Sequence, residues 1–238
     1  MKLFIYRYTK LVFIYLRLYK LFGLLSGFCH NLYYMIRLSA WAARNRKVAY
    51  NDFPCKWDYH KRYQLYQHVL TSEGLLNEPV NYIEFGVAGG ESIRWFSEKN
   101  KQAGSRFYGF DTFTGLPEDW GPFKKGAFGT NNQIPEINDV RVQFYKGLFQ
   151  QTVPGFLKQL DNSKRNIIML DADLFSATLY ALTSMAPYLK ENDIVFFDEF
   201  AVPTHEFKAY EHFVQSYYAN LQLIAAANNY YFVAFKVK

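Results

Sequence analysis

The chain has 238 residues, 50% hydrophobic and 20% aromatic, with 27 Lys/Arg against 21 Asp/Glu for a net charge of +6. That length suits one α/β domain with an appendage, and that composition excludes a largely disordered chain. The two cysteines, Cys29 and Cys55, form no C-x-x-C pair, so no zinc motif or disulfide framework is read and a reducing, cytoplasmic setting is the default.

The charge is unevenly placed. Residues 1–47 hold nine Lys/Arg and no acid, so 18 basic residues face 21 acidic ones beyond them, a net of −3. The main body lacks the basic face of a nucleic-acid binder, and no nucleic-acid partner is expected. Residues 1–47 read as a basic amphipathic helical arm. On one helical wheel Lys2, Arg7, Lys10, Arg17 and Lys20 share an arc of roughly 140°, with aliphatic and aromatic side chains around most of the rest. This pattern predicts a helix lying in a membrane interface through residues 1–40, on the inner membrane face. Three other readings stay open. The arm could pack on the domain or on a homodimer partner. It could span, although the longest stretch free of Lys, Arg, Asp and Glu, Leu21–Ile36, is shorter than the about 20 residues a span needs. It could be a signal peptide, with Ala40-Trp41-Ala42 as an A-x-A site.

Residues 48–60, polar and holding Pro54, are expected to link the arm to a domain over 61–238. Helices are expected over 62–74, 91–101, 152–160, 177–190 and 206–218. Strands are expected over 80–85, 106–111, 140–147, 166–173 and 193–200, with a terminal pair around Asn228-Asn229. Such alternation of apolar strands and helices predicts a mostly parallel sheet covered on both faces. Ligands in such sheets bind outside the carboxyl ends of the strands. Glu84, Asp111, Asp171, Asp198 and Glu199 all fall at such ends, so one rim collects them.

Gly86, Gly89 and Gly90 lie at the first strand–helix turn, in the pattern E-x-G-x-A-G-G. Asp111 ends the next strand, 21 residues past Gly90, where an acid accepts hydrogen bonds from a ribose diol. Together they describe an adenosine site. The absence of a strict G-x-G-x-x-G favours a cofactor without pyrophosphate, and Glu84 is expected to pair with the positive charge of S-adenosylmethionine. Asp171 and Asp198-Glu199 end neighbouring strands. Three converging carboxylates repel unless protons or a cation neutralise them, so a Mg²⁺ site on Asp171, Asp198 and Glu199 is expected. Asp171, Asp173 and the loop residue His205 are the candidate catalytic groups. Trp120 and Phe123, on the long 113–139 loop, are read as a lid or acceptor wall.

The segments YIEFGVAGGESI, FYGFDTFTGLPEDW, YKGLFQQTVPGFL, LDADLFSAT and IVFFDEF, in this order, resemble the macrocin O-methyltransferase family of class I S-adenosylmethionine-dependent methyltransferases. The resemblance covers roughly residues 60–238. It implies a Rossmann-like seven-stranded methyltransferase sheet with a terminal antiparallel strand. It also implies cofactor contacts from Gly86, Val87, Ala88, Gly89 and Gly90, from Asp111, Thr112, Phe113 and Gly115, and from Phe149 near the adenine. The family's Mg²⁺ ligands fall on Asp171, Asp198 and Glu199. Met169 departs from the pattern, since relatives often carry His there. The expected activity is methylation of a hydroxyl on a sugar, polyol or glycoconjugate, a small-molecule or glycan acceptor. The competing readings are a nicotinamide-dependent oxidoreductase and a membrane-tethered, non-catalytic cofactor-binding protein.

Overall fold

The computed structural model describes residues 2–238, with side chains described from Phe4 onward. Seven helices and eight strands alternate: α1 Lys2–Tyr15, α2 Tyr19–Arg44, β1 Tyr50–Asn51, α3 Lys61–Ser72, β2 Val80–Phe85, α4 Glu91–Lys99, β3 Arg106–Asp111, β4 Val142–Lys146, α5 Phe149–Leu157, β5 Arg165–Leu170, α6 Phe175–Met185, β6 Ile194–Phe197, α7 Glu206–Tyr217, β7 Leu221–Ala227 and β8 Phe232–Val237.

The strands form one sheet in the order β1-β7-β8-β6-β5-β2-β3-β4. β8 runs antiparallel to both neighbours, and the other pairings are parallel. All seven strands expected from the sequence are present. The eighth, β1, comes from the segment read as a linker: Tyr50 and Asn51 pair with Ala225 and Ala226 at the sheet edge. Two strand residues carry too little pattern to be legible.

The central strands are buried on both faces, which is why they read as unbroken apolar runs. Their side chains alternate between two cores. Ile83, Phe85, Ile168, Leu170, Val195 and Phe197 face the side covered by α5, α6 and α7. Tyr82, Phe107, Ile167, Met169, Ile194 and Phe196 face α3 and α4. β2 lies between β3 and β5, and the chain leaves β2 toward β3. The loops after β2 and β5 therefore diverge, opening a crevice at the carboxyl ends.

The arm divides into two helices bent by 112° across Leu16–Leu18, where Arg17 is left-handed at φ 50°. A single wheel therefore does not describe it. Among the described residues no single helix is long and apolar enough to cross a membrane. The C-terminal half of α2 is docked. Trp41 is buried against Phe200, Phe207, Tyr210, Tyr230 and Phe235, and its Nε1–H donates to the Tyr210 hydroxyl. Arg37 donates to both carboxylate oxygens of Glu211, at 2.6 and 3.1 Å. The A-x-A stretch thus lies inside a packed helix. The rest of the arm, α1 and the first half of α2, exposes its aromatic and aliphatic side chains, Leu24 at 92% and Tyr15 at 86%.

Candidate active site

The turn after β2 is shaped by its neighbours. Gly86 has φ +93°, and a Cβ there would lie 1.8 Å from the Asp171 carbonyl oxygen. Only glycine lets β2 and β5 stay paired up to the rim, where the Asp171 N–H donates to the Phe85 carbonyl. The chain then turns back through Ala88 at φ 44° and Gly90 at φ 80°, and α4 starts. Asp111 fixes this turn from the next strand. Its Oδ2 accepts the N–H groups of Val87 and Ala88 at 2.8 and 2.9 Å, and its Oδ1 accepts Phe113 N–H at 2.7 Å. The sequence marked Asp111 as a ribose acceptor. In the fold it also holds two loops together at the crevice.

A cavity of about 610 Å³ opens at this point, and Gly86, Ala88, Asp111, Asp171, Asp173 and Asp198 are in its wall. Glu118 and Glu199 complete six acids, against Arg62 as the one basic side chain among the described lining residues. Leu148 and Phe149 form an apolar side. The 112–141 loop supplies the far wall. Trp120 stacks on Phe123 at 5.1 Å, Phe128 packs against both, and Glu118 accepts the Ser176 hydroxyl at 2.9 Å. Trp120 and Phe123 thus serve both as loop packing and as cavity wall.

Burial and mutual repulsion push the rim acids upward. Burial, then Asp198 and Asp111, raise Asp173 to about 7. Burial raises Glu199 to about 8 against the hydrogen bond from Tyr231, with Asp173 and Asp198 adding to the rise. Asp171 is held well above the usual carboxylate range by burial and by the charges of Asp198 and Asp173. Asp173 also has a left-handed backbone, φ 57°, an uncommon conformation for a residue with a Cβ.

The expected Mg²⁺ triad is not formed. Among the described residues no three His, Cys, Asp or Glu side chains come together closely enough to hold a metal ion. The local reason is that two of the three carboxylates are already engaged. Asp198 Oδ2 is paired with Arg62 Nη2 at 2.7 Å, and its Oδ1 accepts the Tyr66 hydroxyl at 2.8 Å. Glu199 Oε1 accepts the Tyr231 hydroxyl at 2.5 Å. A hard divalent cation needs several free oxygens in near-octahedral array; here Glu199 Oε2 is left without a partner among the described residues, but both Asp198 oxygens are taken by Arg62 and Tyr66.

Other expectations also shift. Glu84 shares the face of Tyr82, whose hydroxyl donates to it at 3.0 Å, and lies buried beneath the turn rather than in the cavity wall. Burial holds its carboxyl well above 4.5. Val87, Gly89, Gly90 and Phe113 shape the turns without lining the cavity, whereas Thr112 and Gly115 line it. His205 also stands outside. It caps the space behind Trp120, and its Nδ1 accepts the Phe175 N–H at 3.3 Å. Met169 is fully buried, and the Tyr66 hydroxyl reaches its sulfur at 3.7 Å. The sequence did not single out Arg62, Tyr66 or Tyr231, which lie far along the chain from the carboxylates they serve, nor Tyr59, which flanks the Arg62 guanidinium.

Residues 83–200, from β2 to just past β6, match a family model described as a methyltransferase domain. Fold and domain match together define the class: an S-adenosylmethionine-dependent methyltransferase. No curated protein matches the chain in sequence. Among solved structures, CalS11, a calicheamicin methyltransferase, is similar at 22% identity over 75% of this chain and 78% of its own, with a TM-score of 0.56. The O-methyltransferase NovP is similar at 18% identity over 75% and 78%, with a TM-score of 0.56. A CmcI structure described with Mg and SAM is similar at 18% identity over 84% of each chain, with a TM-score of 0.50. At these identities the similarities establish the methyltransferase fold.

Proposed function

We propose that this chain transfers the methyl group of S-adenosylmethionine to a hydroxyl of a sugar, polyol or glycoconjugate. The observation that carries the reading is the cavity at the switch point, with six acids against one base. A cofactor carrying sulfonium and ammonium charge suits such a wall, whereas the phosphates of a nicotinamide dinucleotide would be repelled. The glycine turn supports it too, since Gly86 and Ala88 bring backbone with little side chain to the cavity wall beside Asp111. The neighbour CalS11, described as a TDP-rhamnose 3'-O-methyltransferase, and the motif resemblance to macrocin O-methyltransferases favour a sugar acceptor.

In this reading Gly86, Ala88, Asp111, Thr112 and Gly115 hold the nucleoside end, and Phe149 lies against the base. When bound, the cofactor supplies a methyl on sulfonium sulfur: the C–S electron pair stays on sulfur as the C–O bond forms. The chain's residues align the acceptor oxygen and take up its proton, and alignment is the larger effect. Asp173, raised to about 7, suits a proton acceptor near neutral pH, and Asp171 stands beside it in the wall. The aromatic wall of Trp120, Phe123 and Phe128 suits the apolar face of a sugar ring.

The arm is proposed to rest on an anionic membrane surface through α1 and the first half of α2. Their exposed rings, and the five basic residues with no acid among residues 1–20, support this. It favours a lipid-linked or surface glycan as acceptor. Calorimetry with S-adenosylhomocysteine and NAD tests the cofactor class: tight NAD binding with no response to S-adenosylhomocysteine would sink the proposal. Transfer of labelled methyl to a panel of sugars and polyols then tests the acceptor class.

A further inference from the structure

We infer that the guanidinium of Arg62 is the resident cation of this site, standing where the carboxylate pattern calls for a metal, and that this chain works without a divalent ion. The inference rests on the methyltransferase reading.

The rim needs positive charge. Asp171, Asp173, Asp198 and Glu199 share one wall, and such a set is unstable unless neutralised. Arg62, at the second position of α3, reaches across the sheet end and pairs with Asp198 Oδ2 at 2.7 Å, the side chains being 19% and 2% exposed. The guanidinium is not free to wander. Its Cζ lies 5.5 Å from the Tyr59 ring centre and 5.1 Å from that of Phe232, within the range of cation–π attraction. Tyr66, one helical turn further along α3, donates to the other Asp198 oxygen. One helix thus saturates Asp198 with a cation and a hydroxyl, while Tyr231 engages Glu199 from the other side.

A guanidinium keeps its charge under all working conditions and presents several fixed N–H donors. Arg62 lines the cavity, so donors not spent on Asp198 are available to a ligand bound there. It can hold an acceptor oxygen by hydrogen bonds and stabilise the charge developing there, as a metal would by coordination. It also denies that metal its ligand, since displacing a buried, stacked ion pair would leave an uncompensated charge.

The test uses the full chain and Mn²⁺ as the probe, read by electron paramagnetic resonance, with S-adenosylhomocysteine binding followed in parallel by calorimetry. We expect the wild type to bind S-adenosylhomocysteine equally with and without excess EDTA. We expect it to leave the free Mn²⁺ signal unchanged at millimolar metal, with or without the nucleoside. Arg62→Met should gain saturable Mn²⁺ binding at least tenfold tighter than wild type, and Arg62→Lys, which keeps the charge, should not. Saturable Mn²⁺ binding by the wild type that is lost in Asp198→Asn would overturn the inference while leaving the methyltransferase reading intact. Absence of S-adenosylhomocysteine binding would overturn both. The melting temperature of each variant reports its folding, and Arg62→Gln, also uncharged, replaces Arg62→Met where that variant is unstable.

Discussion

The Asp111 carboxylate clasps the glycine turn at Ala88, accepting that residue's N–H at 2.9 Å while holding Val87 and Phe113 through its other contacts. One side chain thus sets the shape of two loops that line the cavity. Asp111→Ala removes three charge-assisted hydrogen bonds, each worth about 1.5–3 kcal/mol before water replaces part of the loss. S-adenosylhomocysteine affinity should fall about 100-fold, or about 2.7 kcal/mol, with a lower melting temperature. Calorimetry showing unchanged affinity would reject this role.

Gly86→Ala is expected to damage the fold as well as the site. Its Cβ would meet the Asp171 carbonyl oxygen at 1.8 Å, at φ +93°, so β2 and β5 must part at the rim. A loss of about 3 kcal/mol is expected for strain of this kind, or roughly 6–12 °C in melting temperature for a chain of this size. A melting curve that overlays the wild type would contradict the geometry.

Asp173→Asn should leave S-adenosylhomocysteine binding within about threefold and reduce turnover by about 10²–10⁴, the usual range for a lost general base. With the Asp173 carboxyl raised to about 7, its basic form prevails above that pH. The wild-type rate should therefore rise with pH through about 7 and then level. The rising limb should be absent from the residual activity of the variant.

Glu206 gives a pH effect on stability. It is fully buried, its Oε2 accepts the Glu199 N–H at 2.9 Å, and its Oε1 has no partner among the described residues. Burial, then Glu199, holds its carboxyl well above 4.5. A carboxyl raised by folding stabilises the fold below its ordinary pKa and loses that contribution as pH rises through the elevated value. The melting temperature should decline from pH 6 to 9, and Glu206→Gln should flatten the decline. Parallel curves for the two proteins would show that another group is responsible.

The arm is tested by flotation on vesicles containing anionic lipid. A chain beginning at Lys56 would also lose Trp41 from its aromatic nest, so removing residues 1–18 is the cleaner comparison. That truncation, or the pair Arg7→Glu and Lys10→Glu, should lower the floated fraction severalfold and leave the melting temperature nearly unchanged. Equal flotation would end the membrane proposal.

The sheet was legible because its central strands are apolar on both faces, and the rim because strand ends carry acids. Period-two alternation also held the information that Glu84 shares the Tyr82 face, and its place inside β2, short of the rim, keeps it out of the cavity wall although it stands beside the glycines. What the sequence could not show was pairing at long range. Arg62, on α3, meets Asp198 at the end of β6, 136 residues further along the chain, and nothing local distinguishes it from any basic residue on a solvated helix face. The break at Arg17 has no glycine or proline to announce it. β1 is a strand only because β7 offers it an edge.

The docking of α2 has a mechanical consequence. Trp41 is clamped in the core and Arg37 is fixed to Glu211, while the bend lies at Arg17. Between Tyr19 and Trp41 the helix is a strut about 33 Å long at 1.5 Å per residue. If α1 lies on a surface, the strut sets a stand-off height for the cavity mouth. Acceptor hydroxyls would then be selected by their distance from that surface as well as by their chemistry.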